Sequence, residues 1–378
     1  MSAIYIHIPY CLKKCLYCDF CSVPLDSSAE QYCGALKREL ELRRAQYEFK
    51  AVETVFFGGG TPTVLPAWEL TSVLDEIRKL YPLAPDAEIS IECNPKTADF
   101  QSLCALKRAG FNRLSIGLQS ADDHILSLIG RAHSFADYQS TLNAAKEAGF
   151  TNINVDVMHG LPLQKQEAYL DTLKIVCDAD ILHISAYSLI LEEGTELKRL
   201  VKAGRLRLPD SDETADMQDA GMEYLKERGY IRYEVSNFSK QGYACRHNLT
   251  YWNNRPYLGF GVAAHSSLPN GRAWERFSNA ESIKVYLKRI REGRLPTNET
   301  IRLNKAEQMF ETVMLGLRKV EGINKKEFFD RFEVDIDEYF HEAIASVREQ
   351  GWWEEDESFL RLNARGMDMQ NAALLKFR

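Results

Sequence analysis

Residues 5–21 read YIHIPYCLKKCLYCDFC. A short apolar stretch, IYIHI at 4–8, runs straight into a segment holding Cys11, Cys15, Cys18 and Cys21. The first three are spaced C-x3-C-x2-C. Structural zinc normally takes four ligands in two separated pairs, and no second pair is evident. The C-x-x-C-H signature of covalently attached haem is absent. Three thiolates in one loop suit a [4Fe–4S] cluster with its fourth iron left open. Zinc and coincidence remain as alternatives. An open iron chelates amino and carboxylate groups, and S-adenosylmethionine (SAM) binds in that manner.

The bulk properties fit this reading. The chain has 378 residues, 45% hydrophobic and 27% charged, an ordinary globular composition with ample core material. No run of about 18 apolar residues is present, so no transmembrane segment is expected. Peripheral membrane contact is left open. The start of the chain lacks the basic and apolar regions of a signal peptide. A cytoplasmic protein with reduced thiols is the expectation, which sets disulfides aside. Lys and Arg number 47 against 54 Asp and Glu, a net charge of −7. That disfavours a general nucleic-acid binder.

Outward from the cysteines, strand, loop and helix alternate. Further strands are expected at 54–57, 88–92, 113–118, 152–158 and 182–189. Helices are expected from near Ser27 past Leu40, from Pro66, and from Phe135 to Ala148 with Gly149 closing it. Six strand–helix units imply parallel strands and right-handed crossovers. Six are too few for a complete eight-fold barrel, so the fold class is α/β with an open, partial (β/α)6 barrel. PYCLKKC, GGGTP, ECNP, GLQS and MHGLP each follow a strand, so they should meet at the C-terminal strand tips. Residues 1–235 are assigned to the barrel and 236–300 to a connecting segment, with YIRYEVSNF as a strand. Helices at 304–319, 324–332 and 336–350, then a two-stranded acidic wing and a final helix, give 301–378 a winged-helix pattern. That region holds 12 Lys and Arg against 16 Asp and Glu, a net of −4. Phosphate would be repelled, so a lid or protein contact is expected rather than DNA.

These motifs resemble the HemN-like radical SAM family. The likeness rests on YIHIPYC, CLYCDF, FFGGGTP, RLSIGLQS, DVMHGLP, CRHNLTYW and the C-terminal pattern. It is closer to the family's haem-chaperone branch than to its oxygen-independent coproporphyrinogen III dehydrogenases. The dehydrogenases resemble C-x3-C-x2-C-x-C and carry a long N-terminal segment. Here Phe20 stands at the fourth cysteine's place, Cys21 is one residue late, and three residues precede the first strand. The resemblance implies cluster ligation by Cys11, Cys15 and Cys18. It implies SAM contacts from Tyr5, Tyr17, Gly59, Gly60, Thr61 and Glu92, and a second SAM at Gln119, Arg131 and Asp156. It implies haem at His247, Asn248, Tyr251 and Trp252, and delivery of that haem to acceptor haem proteins. His is a good axial ligand and aromatic rings stack on porphyrins. Yet a lone His and two aromatics also fill cores and cap turns. His265 in VAAHSS is the rival ligand. Cys245 is expected to pack, and so are Cys33, Cys104 and Cys177. His124, His133 and His341 read as surface or core residues.

Overall fold

A computed structural model describes residues 3–47, 51–271 and 273–378. Six parallel strands lie side by side in chain order: Ala3–Ile8, Val52–Gly59, Leu83–Cys93, Arg113–Gln119, Asn152–His159 and His183–Ser188. The period-two pattern decides which way each strand faces. Ile4, Ile6 and Ile8 share one apolar cluster with Leu36 and Leu40 of helix Ala29–Arg44 and with Leu70 and Leu74 of helix Ala67–Leu80. The alternate residues, Tyr5 and His7 among them, face the barrel interior.

Helix starts follow local chemistry. Pro66 sits one place outside its helix with extended ψ of 138°. Ser134 and Asp137 form a reciprocal capping box on helix Phe135–Glu147, and Gly149 takes φ +90° just beyond its end.

The barrel does not close. Strand Tyr257–Phe260 pairs parallel to the first strand. Beyond it run three antiparallel strands, His265–Asn270, Ala273–Asn279 and Thr297–Leu303. The segment expected to connect is therefore part of one twelve-stranded sheet. Buried Glu39, on the first helix, fastens it. Its carboxylate accepts from Gly261 N (2.8 Å), Asn279 Nδ2 (2.8 Å), Tyr286 Oη (2.8 Å) and Arg43 Nε (2.9 Å). At the opposite edge YIRYEVSNF is not one strand. It folds into a hairpin of Ile231–Arg232 and Asn237–Ser239. The Arg232 guanidinium donates to the carbonyls of Glu234 and Val235 and holds the turn.

The C-terminal region has its own apolar cluster, including Val313, Leu317, Phe328, Val347 and Leu360. Its helices are Lys305–Gly316, Lys325–Phe332, Ile336–Tyr339 and His341–Glu349. The wing, Trp353–Glu355 with Phe359–Leu362, gains a third short strand, Ile323–Asn324. Asp356 caps the wing turn by accepting from Ser358 N and Phe359 N, both at 2.8 Å.

Candidate functional site

The C-terminal tips of the barrel strands enclose a cavity of about 310 Å³. Cys11, Cys15 and Cys18 all line it. Their loop is pinned at both ends. Tyr10–Cys11 pairs with Val23–Pro24. Leu16 N donates to Ile129 O (3.0 Å), and Leu16 O accepts from Leu197 N (2.8 Å). Thr61 Oγ1 stands 3.5 Å from Cys11 Sγ, and Arg131 Nη1 stands 3.5 Å from Cys15 Sγ. Both donors favour a thiolate, whereas burial pushes the Cys11 and Cys18 thiols up. Among the described residues, no three His, Cys, Asp or Glu side chains converge tightly enough to hold one metal ion. The three thiols share the lining of one cavity, where a cluster held by three cysteines would sit.

Behind the thiols the strand tips supply a polar wall. A Cβ on Gly60 would stand 2.7 Å from Tyr10 O and 3.1 Å from Cys11 Sγ, so only glycine fits there. Gly59, at φ +113°, donates its N–H to Glu92 Oε2 at 3.1 Å. Thr61 is buried and its hydroxyl accepts from Asn94 Nδ2 at 2.6 Å. Asn94 Oδ1 in turn accepts from Arg131 Nη2 (2.6 Å), which also donates to Gly117 O (2.6 Å). Arg131 Nε is buried without a partner. Tyr17 and Tyr187 lie in the same cavity, and Tyr187 Oη donates to Gln119 Oε1 at 2.9 Å. Gln119 itself is held at φ +73°. Burial, then the nearby Asp156 charge, pushes the Glu92 carboxyl up to about 8. Burial raises Asp156 as well, against the Asn154 amide that donates to it at 2.7 Å. Glu92 and Asp156 could ionise against a cation bound in this cavity, and SAM carries a sulfonium and an ammonium. The donor set thus fits both groups.

Tyr5 does not reach this cavity. It lines a neighbouring one of about 680 Å³, with Phe20, Cys21, Ala263, His265 and Glu281. Gly59 and Glu92 form part of both walls. Cys21 is turned away from the three thiols, and its Sγ donates to Glu281 O at 3.4 Å.

The CRHNLTYW motif goes elsewhere. It forms a short helix, Arg246–Trp252, at the N-terminal end of the barrel strands. The Glu88 carboxylate accepts from the free N–H groups of Arg246 (3.0 Å) and His247 (3.1 Å) and stands 3.5 Å from buried Cys245 Sγ. His247 is 1% exposed. Its Nδ1 pairs with Thr54 Oγ1 and its Nε2 with Tyr251 Oη, each at 2.8 Å. Its ring stacks on Phe56 at 5.1 Å. Burial lowers its pKa to about 3. A neutral ring with both nitrogens engaged has no lone pair left for iron. His247, Asn248 and Tyr251 line neither cavity at the strand tips, and Trp252 lines a separate one against Trp274 and Arg331. The motif is the floor of the barrel, and its His247, expected as a haem ligand, lies away from both strand-tip cavities. Further floor residues escaped sequence reading. His183 bridges Asn154 Oδ1 (2.6 Å) and Tyr233 Oη (2.8 Å). At the mouth, Asn94 and Tyr187 were also missed. Asn94 stands in the ECNP motif that places Glu92, which was the available signal.

Comparisons with known proteins agree with this architecture. The model of the radical SAM superfamily matches residues 5–176, and that of the HemN C-terminal domain matches residues 303–369. Heme chaperone HemW of Bacillus subtilis is 36% identical over 98% of this chain and 97% of its own length. HemW of Lactococcus lactis is 32% identical over 100% and 97%. The mitochondrial radical S-adenosyl methionine domain-containing protein 1 of Bos taurus is 34% identical over 99% and 86%. The structure of coproporphyrinogen III oxidase HemN from Escherichia coli superposes with a TM-score of 0.85, covering 100% of this chain and 89% of that one. Its 24% identity speaks to the fold alone. With that cysteine loop on a partial barrel and these full-length likenesses, the chain belongs to the HemW family of radical SAM proteins.

Proposed function

We propose that this protein is a haem chaperone. It holds haem, passes it to acceptor haem proteins in the cytoplasm, and carries one [4Fe–4S] cluster on Cys11, Cys15 and Cys18 with an exchangeable SAM. The full-length identity to HemW proteins carries this reading. The shared cavity of three thiols and two raised carboxyls supports the cofactor set. Among the described residues no helix is long and apolar enough to cross a membrane.

When bound, the cluster would supply one electron to the sulfonium of SAM. The protein's part is to orient and neutralise. Gly59 and Gly60 would let backbone approach the amino-acid end of SAM, and Glu92 would meet its positive charge. Arg131 ties the cluster loop to Asn94 and Gly117. The rival reading is a coproporphyrinogen III dehydrogenase, and its support is the fold. Phe20, where the dehydrogenases resemble a cysteine, is 62% exposed and leaves no fourth thiol beside Cys18. Anaerobic reconstitution followed by haemin titration and a coproporphyrinogen III turnover assay separates the two. Stoichiometric haem binding without turnover is the expected outcome. Turnover to protoporphyrinogen IX without haem binding would reverse the order.

A further inference from the structure

We propose that the cavity of about 480 Å³ between the barrel and the C-terminal region is an anion site, taking the phosphate or carboxylate group of a small ligand on Lys319, Arg331 and Arg255. The site is independent of the haem-chaperone reading and shares no residue with the two cavities at the strand tips. Two of its cations have no counter-ion among the described residues. Lys319 is 7% exposed, and its ammonium donates to a neutral acceptor, Asn253 Oδ1, at 2.6 Å. Arg331 donates from Nη1 to Asn254 O at 2.8 Å, and its Nη2 is buried without a partner. The nearby carboxylates are taken. Glu327 pairs with Arg255 at 2.9 Å, Glu311 with Arg276 at 2.9 Å, and Asp330 with Lys326. Burial pulls the pKa of Lys319 down, and burial together with the Arg255 charge pulls that of Arg331 down to about 10. A cation taken out of water without a counter-charge is costly, and an anion in the shared cavity relieves that cost for both.

The walls hold these cations in place. The Arg331 guanidinium lies 4.3 Å from the Trp274 ring and 5.0 Å from the Phe332 ring. Its flat faces are stacked, which leaves its N–H edges to hydrogen-bond. Asn254, held at φ +46°, donates from Nδ2 to Thr312 Oγ1 at 3.0 Å and so fixes the turn that carries Asn253 and Arg255. Lys319 and Arg331 both reach from the C-terminal region to this turn, so a simple staple between the two regions is the competing role. A staple needs no charge, because a neutral donor satisfies Asn253 Oδ1 and Asn254 O without the desolvation penalty of an ion. Three cations around one open volume match the recognition of an oxyanion. The volume lies within the range of small-molecule sites. Glu327 and Asp330, both exposed, also line the cavity. A long polyanion would meet them, whereas a compact anion fits between the cations.

The test is calorimetric titration of the full-length chain with inorganic phosphate and, separately, with succinate, at an ionic strength held constant with chloride. Tryptophan emission is followed in parallel, since Trp252 and Trp274 line the cavity. Wild type is compared with Lys319→Met, Arg331→Gln, Arg255→Gln and Arg199→Gln. Wild type should bind at least one of the two anions at a single saturable site, and the tighter one names the class of group the site takes. Lys319→Met and Arg331→Gln should weaken that binding by about tenfold or more. Arg255 is half-buried at the rim, so Arg255→Gln keeps the fold and decides the matter if a buried variant does not fold; it too should bind more weakly. Arg199, exposed on helix Glu196–Lys202 away from the cavity, is the control and should leave binding as in wild type. No saturable binding of either anion by wild type overturns the site. Wild-type affinity in both Lys319→Met and Arg255→Gln overturns it as well and leaves the cations as a staple. An equal loss in Arg199→Gln overturns it in favour of diffuse charge attraction.

Discussion

If SAM binds as proposed, the Glu92 carboxyl makes that binding a proton-coupled event. Its pKa is pushed to about 8 from an ordinary 4.5, first by burial and then by Asp156, against the Gly59 N–H and Arg113. At pH 7 it is about nine-tenths protonated without ligand. A cation in the cavity favours the ionised form, so binding expels that proton. The affinity for SAM should therefore rise by up to about tenfold per pH unit between roughly pH 6 and 8, then level off. Glu92→Gln removes this proton and flattens the slope. Asp156, whose pKa is also raised and whose charge acts on Glu92, is separated by running Asp156→Asn in the same assay. Calorimetry under anaerobic conditions, in two buffers of different ionisation enthalpy, counts the protons. Wild type should release close to one more proton at pH 7 than Glu92→Gln. Equal slopes and equal proton counts would refute the idea that Glu92 faces the SAM cation.

Replacing Cys11, Cys15 or Cys18 by Ala should abolish iron loading, while Cys21→Ala keeps a full cluster, since its thiol points to Glu281 O; iron and sulfide per chain decide. His247→Ala strands the Thr54 and Tyr251 hydroxyls in the barrel floor. It should cost about 2–4 kcal/mol in urea unfolding, and an unchanged midpoint would contradict the floor assignment. Glu39→Ala removes the buried partner of Arg43 and of the Gly261, Asn279 and Tyr286 donors. A loss of about 3–5 kcal/mol is expected, with strand Tyr257–Phe260 becoming more accessible to hydrogen exchange.

Local chemistry carried much of this protein. Strand positions follow from alternation, and helix ends from caps such as Ser134 with Asp137. The cluster loop follows from spacing within eleven residues, because ligands so close in sequence need no distant partner to meet. Parallel connectivity then placed GGGTP, ECNP and GLQS at one face. Other features depended on residues far apart in the chain. His247 looked like a ligand in its own helix, yet Thr54, 193 residues away, takes one nitrogen and helps make it a floor residue. The stretch 236–300 had no visible partner until Glu39, more than 200 residues earlier, bound Gly261 and Asn279. YIRYEVSNF alternates like a strand, but the Arg232 side chain folds it back on itself. His265 and Phe20 meet at one cavity because strand Tyr257–Phe260 pairs with strand Ala3–Ile8. Periodicity and spacing act over a few residues and are written in the sequence. Which buried donor satisfies which acceptor is set by the closed packing of the whole sheet, and only the tertiary structure decides it.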